Sequence, residues 1–287
     1  EINFENRVEW GIKMYVSVAV MDTGIFRHMD FDTRIAGFAD FVGRKKYLYD
    51  DNGHGTHVAG IIAGSGKGSN GKYRGIAPDT FLVSVKVLDK SGNGKIENVV
   101  EAAGWIIENK SAMNIRVVNI SFGTRAKMEN GPAIETGEDD YALIMAVEKM
   151  WDSGIVVVAA AGNNGPGNTS VTAPGISKKI ITVGAFDDKN FFSGRGPTRE
   201  CIVKPEVVVT GSNIIACNNH QGRYSSKSGT SMAAPIVSGA VARLIKNNPD
   251  ITPKEVKIWM KSCCKKINVP SEKQGWGVLD IRKFVTG

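Results

Sequence analysis

The sequence predicts an α/β fold in which helices cover both faces of a mostly parallel central β-sheet. The candidate strands are apolar at nearly every position, which is typical of strands buried on both faces. Helical patterns alternate with these strands along the chain, as in parallel sheets. The composition is that of a globular protein, with 42% apolar and 23% charged residues. No repeat or linker interrupts the 287 residues, so residues 1–287 are predicted to form one catalytic domain.

Five short apolar runs predict the strands, and four longer amphipathic stretches predict helices. The predicted strands are residues 16–21, 81–88, 117–122, 155–161 and 180–185. The predicted helices are residues 54–62, 96–107, 141–151 and 231–245. A further helix is predicted to begin at Thr252, where Thr-Pro-Lys-Glu has the pattern of a capping box with proline at the first helical position. Pro235 is assigned to the first turn of the helix that Ser231 opens, where proline is tolerated.

Polar side chains that suit hydrolytic chemistry follow the predicted strands. Asp22, Ser121 and Asn163 lie at or near strand ends, and His54 and Ser231 head two of the helices. Sites in parallel α/β sheets lie beyond the carboxyl ends of the strands. The sequence therefore predicts that these residues converge at one edge of the sheet.

Together these residue types can cleave an amide bond. A serine hydroxyl needs a base to take its proton, and the base needs an orienting partner. Ser231 would be the nucleophile, His54 the base, and Asp22 the residue that holds the imidazole. The Asn163 amide and the Ser231 backbone N–H would stabilise the oxyanion of the tetrahedral intermediate.

Each of these residues also has a purely structural interpretation. Serine is a common helix N-cap, and aspartate and asparagine are common turn residues. His54 and His57 could share a helix face and bind a metal, but no third ligand has a suitable spacing. The other histidines have simpler interpretations: His57 as a packed helix residue, and His28 and His220 as surface or loop residues.

Four sequence blocks carry a resemblance to a known family. "AVMDTGI" (19–25), "NGHGTHVAG" (52–60), "AAAGNNGP" (159–166) and "SGTSMAAP" (228–235) resemble the signature blocks of the subtilisin-like serine proteases, in that family's order of Asp, His and Ser. Further similar blocks extend the resemblance from about Val8 to about Val285. It implies the single-domain, three-layer subtilisin-like fold and a serine endopeptidase that forms an acyl-enzyme. The loop 64–75 and its flanks, in length and sequence, resemble the intracellular-type subtilases more than the secreted calcium-dependent ones.

The resemblance also implies site residues. Asp22, His54 and Ser231 match the triad, and Asn163 matches the oxyanion-hole asparagine. Two segments would bind a peptide or protein substrate as an extended strand between them. The substrate-binding residues implied are Ser91, Gly92, Gly94, Ser121, Phe122, Gly123, Thr124, Ala161, Gly162 and Thr172.

Several positions depart from the family pattern. Thr124 stands where many members have glycine, and Thr172 lies near the expected floor of the S1 pocket, so both would narrow that pocket. Gly194 replaces a common serine, and Thr210-Gly211 replaces the usual Pro-Gly. The narrower pocket suggests a processing protease with few substrates as an alternative to a general degrader. A catalytically silent peptide-binding member is the other alternative.

The chemistry requires no cofactor. The sequence leaves open whether the chain binds a structural calcium ion. Asp30 matches a calcium ligand of the family, but the loop 64–75 lacks the asparagine-containing pattern of the secreted calcium-dependent members. One carboxylate does not make a calcium site, which needs six or more oxygens. The family also implies an N-terminal propeptide as an inhibitory partner.

Charge and cysteine usage bear on partners and compartment. The net charge of +7 is scattered, without the basic stripe interleaved with aromatics that nucleic-acid binding favours. No apolar run approaches the ~18 residues of a membrane span, and no signal-peptide pattern is present. Four cysteines, at positions 201, 217, 263 and 264, form no disulfide framework and are interpreted as free thiols. A cytoplasmic location is therefore favoured over secretion.

Overall fold

The computed structural model describes residues 15–124, 138–189 and 191–287, and its centre is a nine-stranded β-sheet. The strands are β1 Ser17–Asp22, β2 Ile35–Asp40, β3 Phe81–Lys86, β4 Ile115–Ile120, β5 Val156–Ala160, β6 Ile181–Ala185, β7 Val207–Val209, β8 Ile214–Cys217, β9 Tyr224–Lys227, β10 Cys264–Lys265 and β11 Val278–Leu279. The sheet order is β10-β11-β7-β6-β5-β4-β1-β3-β2, and only β10 pairs antiparallel. Strands β8 and β9 form a separate antiparallel hairpin.

Helices cover both faces of this sheet. They are α1 His54–Ala63, α2 Ile96–Asn109, α3 Glu138–Asp152, α4 Thr230–Asn247, α5 Pro253–Ser262, α6 Ser271–Gln274 and α7 Ile281–Val285. Alternate residues of β1 point into two different cores. Val18 and Val20 pack with α1 and α4 on one face, whereas Ala19 and Met21 pack with α2 and α3 on the other. The continuous apolar run of β1 therefore reflects burial on both faces, as predicted.

The five predicted strands and the predicted helices are present, with ends that shift by up to three residues. The capping box at the start of α5 is confirmed, since Thr252 and Glu255 bond each other's backbone N–H. Strand β2 was not predicted, because this edge strand is only partly buried and "IAGFAD" contains no apolar run. Strands β7 to β11 have two to four residues each, too few for periodicity to register.

The assignment of Pro235 to the first helical turn was wrong. Helix α4 begins at Thr230, with Gly229 as its N-cap, so Pro235 is the sixth helical residue and lies inside the helix. A proline there cannot donate an N–H to the carbonyl four residues earlier, which is that of Ser231. The structure supplies another donor, described below. Across the described ranges, no helix combines the length and apolar character needed to cross a membrane.

Candidate active site

The site lies at the carboxyl ends of β1 and β4, two neighbouring strands in the interior of the sheet. Met21 pairs with Ile120 in the parallel register, so the next residues, Asp22 and Ser121, leave the sheet side by side. Neighbouring strands lie about 4.8 Å apart. The sheet therefore places the acid beside the segment that contacts Ser231.

Asp22 and His54 form a hydrogen-bonded pair. The His54 Nδ1–H donates to Asp22 Oδ1 and Oδ2, at 2.8 and 2.9 Å. The Asp22 side chain is completely buried, while that of His54 keeps 25% exposure. Burial disfavours the charged imidazole, but the charge and hydrogen bonds of Asp22 outweigh that cost and raise the pKa of His54 above its ordinary value. With Nδ1 protonated, the lone pair of neutral His54 is on Nε2.

The helix that carries His54 is anchored by a carboxylate outside it. Helix α1 has no side-chain cap of its own, and its N-cap, Gly53, has a φ of +96°. The Asp50 carboxylate instead accepts from the backbone N–H groups of Gly53 and Thr56, at 2.8 and 3.0 Å. It also accepts from the hydroxyl of Thr23, the residue after Asp22, at 2.9 Å. Asp50 thereby joins the acid's strand to the base's helix, a role that the sequence analysis missed.

A buried lysine holds the same strand end. Lys86 Nζ donates to the carbonyl oxygens of Thr23 and Leu88, at 2.6 and 2.8 Å, and to Asp51 Oδ1 at 2.8 Å. The Lys86 side chain is 1% exposed. These bonds connect the ends of β1 and β3 with the segment before α1. Nothing in the sequence distinguishes Lys86 from the many surface lysines.

Ser231 is the second residue of α4 and is partly exposed at the site. Its hydroxyl donates to the carbonyl oxygen of Ser121 at 2.8 Å rather than to His54. In return, the Ser121 hydroxyl donates to the carbonyl oxygen of Ser231 at 3.0 Å. This is the carbonyl that Pro235 leaves without a helical donor. The two serines therefore fix the start of α4 against the end of β4.

Asn163 presents an oriented amide at the same place. Its Oδ1 accepts from the backbone N–H and from the hydroxyl of Thr230, both at 3.0 Å. The Thr230 hydroxyl in turn accepts from Gly162 N–H at 3.1 Å. Thr230 thus occupies Oδ1 and leaves the NH₂ group as the available donor, and Asn163 is exposed. The Ser231 backbone N–H, in the first turn of α4, has no helical acceptor.

A cleft of about 930 Å³ contains six of the ten predicted substrate-binding residues. These are Gly92, Gly94, Phe122, Gly123, Thr124 and Thr172. The other four, Ser91, Ser121, Ala161 and Gly162, do not line it. Residues 91–94 form an exposed turn in which the Ser91 N–H donates to the Asp89 carboxylate. Gly94 pairs with Leu88 in an isolated antiparallel bridge. Ser121 instead contacts Ser231, and Gly162 contacts Thr230.

The departures from the family pattern have local explanations. A side chain at Gly194 would place its Cβ 2.5 Å from the Ala161 carbonyl oxygen, so this backbone leaves no room for serine. The Thr210 hydroxyl donates to the Asp187 carboxylate, which also accepts from Gly211 N–H at 2.7 Å and so organises the turn. Thr172 Oγ1 is buried and has no hydrogen-bond partner among the described residues.

Thr172 fills the space between two glycines of the predicted substrate-binding set, Gly123 and Gly162. A Cβ on Gly123 would lie 2.2 Å from Thr172 Oγ1, and one on Gly162 would lie 2.7 Å from it. The Thr124 N–H donates to the carbonyl oxygen of Ala173 at 2.9 Å, so the two walls are joined at this point. Both threonines line the cleft, and their predicted effect on substrate preference stays a prediction.

The histidines outside the pair have different environments from one another. His57 is fully buried and its Nε2 bonds the Ser225 carbonyl oxygen at 3.0 Å, which agrees with a packed helix residue. Burial lowers the pKa of His57 to about 4. His220 is exposed as predicted. The prediction of His28 as a surface or loop residue was wrong about exposure, because its ring is buried beneath Tyr224.

With this geometry described, comparison with known proteins identifies the family. The sequence profile of the subtilase family matches residues 14–277. The chain belongs to the subtilase family. It is 42% identical to serine protease AprX of Bacillus subtilis (strain 168) over 274 residues, which cover 86% of this chain and 60% of AprX. The chain thus spans about three fifths of the length of that subtilase. It is 35% identical to subtilisin DY of Bacillus licheniformis, covering 84% of this chain and 81% of that protein.

Solved subtilase structures share the fold. A cold-adapted subtilisin-like serine proteinase superposes with a TM-score of 0.73 at 29% identity, covering 94% of this chain and 88% of that one. Sphericase superposes with a TM-score of 0.77 at 25% identity, covering 92% and 90% of the two chains. The predicted subtilisin-like α/β fold is therefore confirmed.

Proposed function

We propose that this chain is a serine endopeptidase that hydrolyses peptide bonds through Ser231, His54 and Asp22. The observation that carries the proposal is the buried Asp22 carboxylate bonded to His54 Nδ1, at the strand end beside the segment that holds Ser231. A turn residue or a helix cap does not need a buried carboxylate–imidazole pair beside the serine at the start of a helix. The serine protease relatives support the same reaction class.

In the proposed reaction, Asp22 holds the Nδ1–H tautomer of His54 and leaves Nε2 free as a base. The Ser231 hydroxyl turns from the Ser121 carbonyl oxygen to Nε2, a rotation about one side-chain bond. Catalytic hydrogen bonds often tighten only when substrate binds. Ser231 Oγ attacks the substrate carbonyl, His54 takes its proton, and the same proton is donated to the leaving amine. Water activated by His54 then releases the acyl group.

The oxyanion would be held by the Asn163 amide and the Ser231 backbone N–H. Thr230 already holds the oxygen of the Asn163 amide, which leaves the NH₂ group as the donor to the oxyanion. This donor therefore needs no reorganisation when charge develops. The first turn of α4 adds the favourable field of a helix N-terminus.

The substrate would bind as an extended strand between residues 91–94 and residues 121–123, of which Gly92, Gly94, Phe122 and Gly123 line the cleft. An inhibitory propeptide would occupy the same cleft. The four cysteines are all free, which supports a reducing compartment.

Two alternatives concern the same cleft. A processing protease with narrow specificity is favoured by Thr172, which fills the space beside Gly123 and Gly162. A catalytically silent peptide-binding protein would need none of the Asp22–His54 geometry, so it is the weaker alternative.

The direct test combines a covalent probe with two substitutions. A fluorophosphonate should label Ser231, identified by mass spectrometry of the labelled peptide, and should abolish peptidase activity. Ser231→Ala should lose labelling and nearly all turnover. Asn163→Ala should still be labelled but lose about 10²–10³-fold in kcat, the loss known for the corresponding donor in subtilisin itself.

The matched control is Ser226→Ala, an exposed serine of β9, which should keep full activity. Full turnover by Ser231→Ala would overturn the assignment. Stoichiometric peptide binding without cleavage by the parent chain would establish the silent alternative instead.

A further inference from the structure

A buried cluster of metal-ligating side chains lies outside the proposed active site. His28, Asp30 and Cys217 each offer one ligand atom, and these atoms lie within 4.8 Å of one another. All three residues are buried, at 2% exposure or less. They come from the segment after β1 and from the end of β8, so only the fold brings them together. The proposed hydrolysis uses none of them.

The outer contact of the His28 ring fixes which of its nitrogens carries the proton. Its Nε2 lies 3.1 Å from the Arg223 carbonyl oxygen, which can only accept, so the ring proton is on Nε2. The Nδ1 lone pair then accepts from the Asp30 backbone N–H at 3.1 Å, a hydrogen bond that a bound ion would replace, and Nδ1 lies 3.7 Å from Asp30 Oδ1. A backbone carbonyl that fixes the far ring nitrogen is the usual outer contact of a metal-binding histidine.

The ligand separations fit a small tetrahedral ion. Cys217 Sγ lies 3.5 Å from Asp30 Oδ2, and His28 Nδ1 lies 3.7 Å from Asp30 Oδ1. Zinc bonds of ~2.0–2.3 Å at tetrahedral angles place neighbouring ligand atoms roughly 3.4–3.6 Å apart. The two spacings to Asp30 are close to these values, and all three ligand atoms lie within 4.8 Å of one another.

The donor set does not fit calcium, the metal that the family resemblance left open at Asp30. The Asp30 carboxylate accepts from Gly66 N–H at 3.0 Å, Gly68 N–H at 2.8 Å and the Tyr224 hydroxyl at 2.9 Å. Calcium takes six to eight oxygen ligands. This carboxylate is instead surrounded by N–H and O–H donors, a thiol and an imidazole, and the last two favour a softer ion.

We propose that His28 Nδ1, the Asp30 carboxylate and Cys217 Sγ bind one divalent ion of the zinc class. Binding breaks the Cys217 S–H bond and forms a bond from sulfur to the ion, and the thiol proton leaves to solvent. The ion also replaces two hydrogen bonds, from the Asp30 backbone N–H to His28 Nδ1 and from the Cys217 thiol to Asp30 Oδ2. His28 is already neutral, so one proton is released per ion. The carboxylate and the thiolate together balance the ion's two positive charges.

The charge balance makes the thiol the decisive ligand. Burial and the neighbouring carboxylate raise the pKa of the Cys217 thiol, so the metal-free thiol is neutral. The ion must displace that proton, and therefore its affinity should rise with pH.

The bound ion would join three segments beneath α1. Cys217 packs on Gly60 of α1, where an added Cβ would lie 3.1 Å from Sγ, and Asp30 closes the loop through Gly66 and Gly68. The ion should therefore stabilise the folded state without taking part in peptide hydrolysis.

The test uses the whole chain with Ser231→Ala, which prevents self-digestion, and Zn²⁺ and Co²⁺ alone as probes. Calorimetry should show one Zn²⁺ per chain with release of one proton, obtained from two buffers of different ionisation enthalpy. Co²⁺ should give a thiolate-to-cobalt absorption band, and Zn²⁺ should raise the melting temperature. None of these readouts depends on activity, so they are independent of the proposed function.

Cys217→Ser should lose the cobalt band and weaken Zn²⁺ binding about 100-fold or more. Cys201→Ser, which removes an exposed cysteine, should change neither. His28→Gln tests the site a second time if Cys217→Ser fails to fold without metal. Absence of Zn²⁺ binding by the parent, a cobalt band that survives Cys217→Ser, or Ca²⁺ that displaces Co²⁺ would each overturn the proposal.

Discussion

At the scale of single residues, the site depends on side chains that orient other side chains. Thr230 is the clearest case, because its hydroxyl and N–H both bind the oxygen of the Asn163 amide. An amide can turn over and exchange its oxygen and nitrogen positions. Thr230 excludes the turned orientation, in which two N–H groups would face its N–H donor.

Replacing Thr230 should therefore weaken the transition state more than substrate binding. We expect Thr230→Val to lower kcat about 10-fold or more with KM nearly unchanged, because one of the two contacts that fix the oxyanion donor is lost. Thr230→Ser keeps the hydroxyl and should retain most of the activity. Steady-state kinetics on a peptide substrate decide this, and an effect confined to KM would contradict it.

A second residue-scale prediction concerns substrate preference. Thr172→Gly should empty the space beside Gly123 and Gly162 and admit larger P1 side chains. We expect the ratio of kcat/KM for a phenylalanine P1 substrate to that for an alanine P1 substrate to rise roughly 10-fold or more, the range for small changes in a pocket. The ratio is measured from the cleavage rates of peptides that differ only in the P1 residue.

The conservative variant Thr172→Ser keeps the hydroxyl and removes only a methyl group, so it should leave the P1 profile close to that of the parent. An unchanged profile in Thr172→Gly would show that Thr172 does not limit the pocket.

At the scale of elements, the junction of α4 with β4 depends on a proline and a serine. Pro235 leaves the Ser231 carbonyl without a helical donor, and the Ser121 hydroxyl replaces that donor at 3.0 Å. The same hydroxyl accepts from the Asn119 amide at 2.9 Å, which in turn accepts from the Ser238 hydroxyl of α4 at 2.8 Å. This buried network fixes the helix that opens with Ser231.

Ser121→Ala should lower the free energy of unfolding by about 1–3 kcal/mol, because it leaves the buried Ser231 carbonyl and the Asn119 amide unpaired. The measurement is urea denaturation in the Ser231→Ala background. In a chain that also carries Pro235→Ala, residue 235 regains an N–H for the Ser231 carbonyl. The cost of Ser121→Ala should then be smaller, and an equal cost in both chains would contradict the exchange of donors.

The sequence predicted some elements of the fold and missed others, depending on whether each contains a continuous apolar run. Strands such as β1 were predicted because each contains a continuous apolar run. Strand β2 was missed because an edge strand that is half exposed has no such run. Helix α4 was predicted, but the position of Pro235 within it was wrong, because the start of a helix depends on which neighbour satisfies its terminal groups.

At the scale of the whole molecule, buried histidines make stability depend on pH. His57 is fully buried and burial lowers its pKa to about 4, against 6.5 for the unfolded chain. Below pH 6.5 the unfolded chain binds a proton that the folded chain does not. This contribution to stability is therefore complete above pH 6.5 and is lost as the pH falls towards 4.

The expected loss from His57 is about 3 kcal/mol between pH 7 and pH 4. Urea denaturation of the Ser231→Ala chain at several pH values measures it. His57→Gln, which can still donate to the Ser225 carbonyl oxygen, removes the titration and should flatten the dependence. An identical pH dependence in the two chains would contradict the assignment.

The sequence by itself determined the alternation of buried strands and helices, the family, and the residues proposed for the chemistry. These are local properties, since apolar periodicity and short motifs are contained in continuous segments. The tertiary structure alone decided which distant groups meet. It placed Asp50 at the start of α1, Lys86 at the end of β1 and Cys217 beside His28 and Asp30. Such contacts depend on strand order and register, which bring together residues up to about 190 positions apart in the chain.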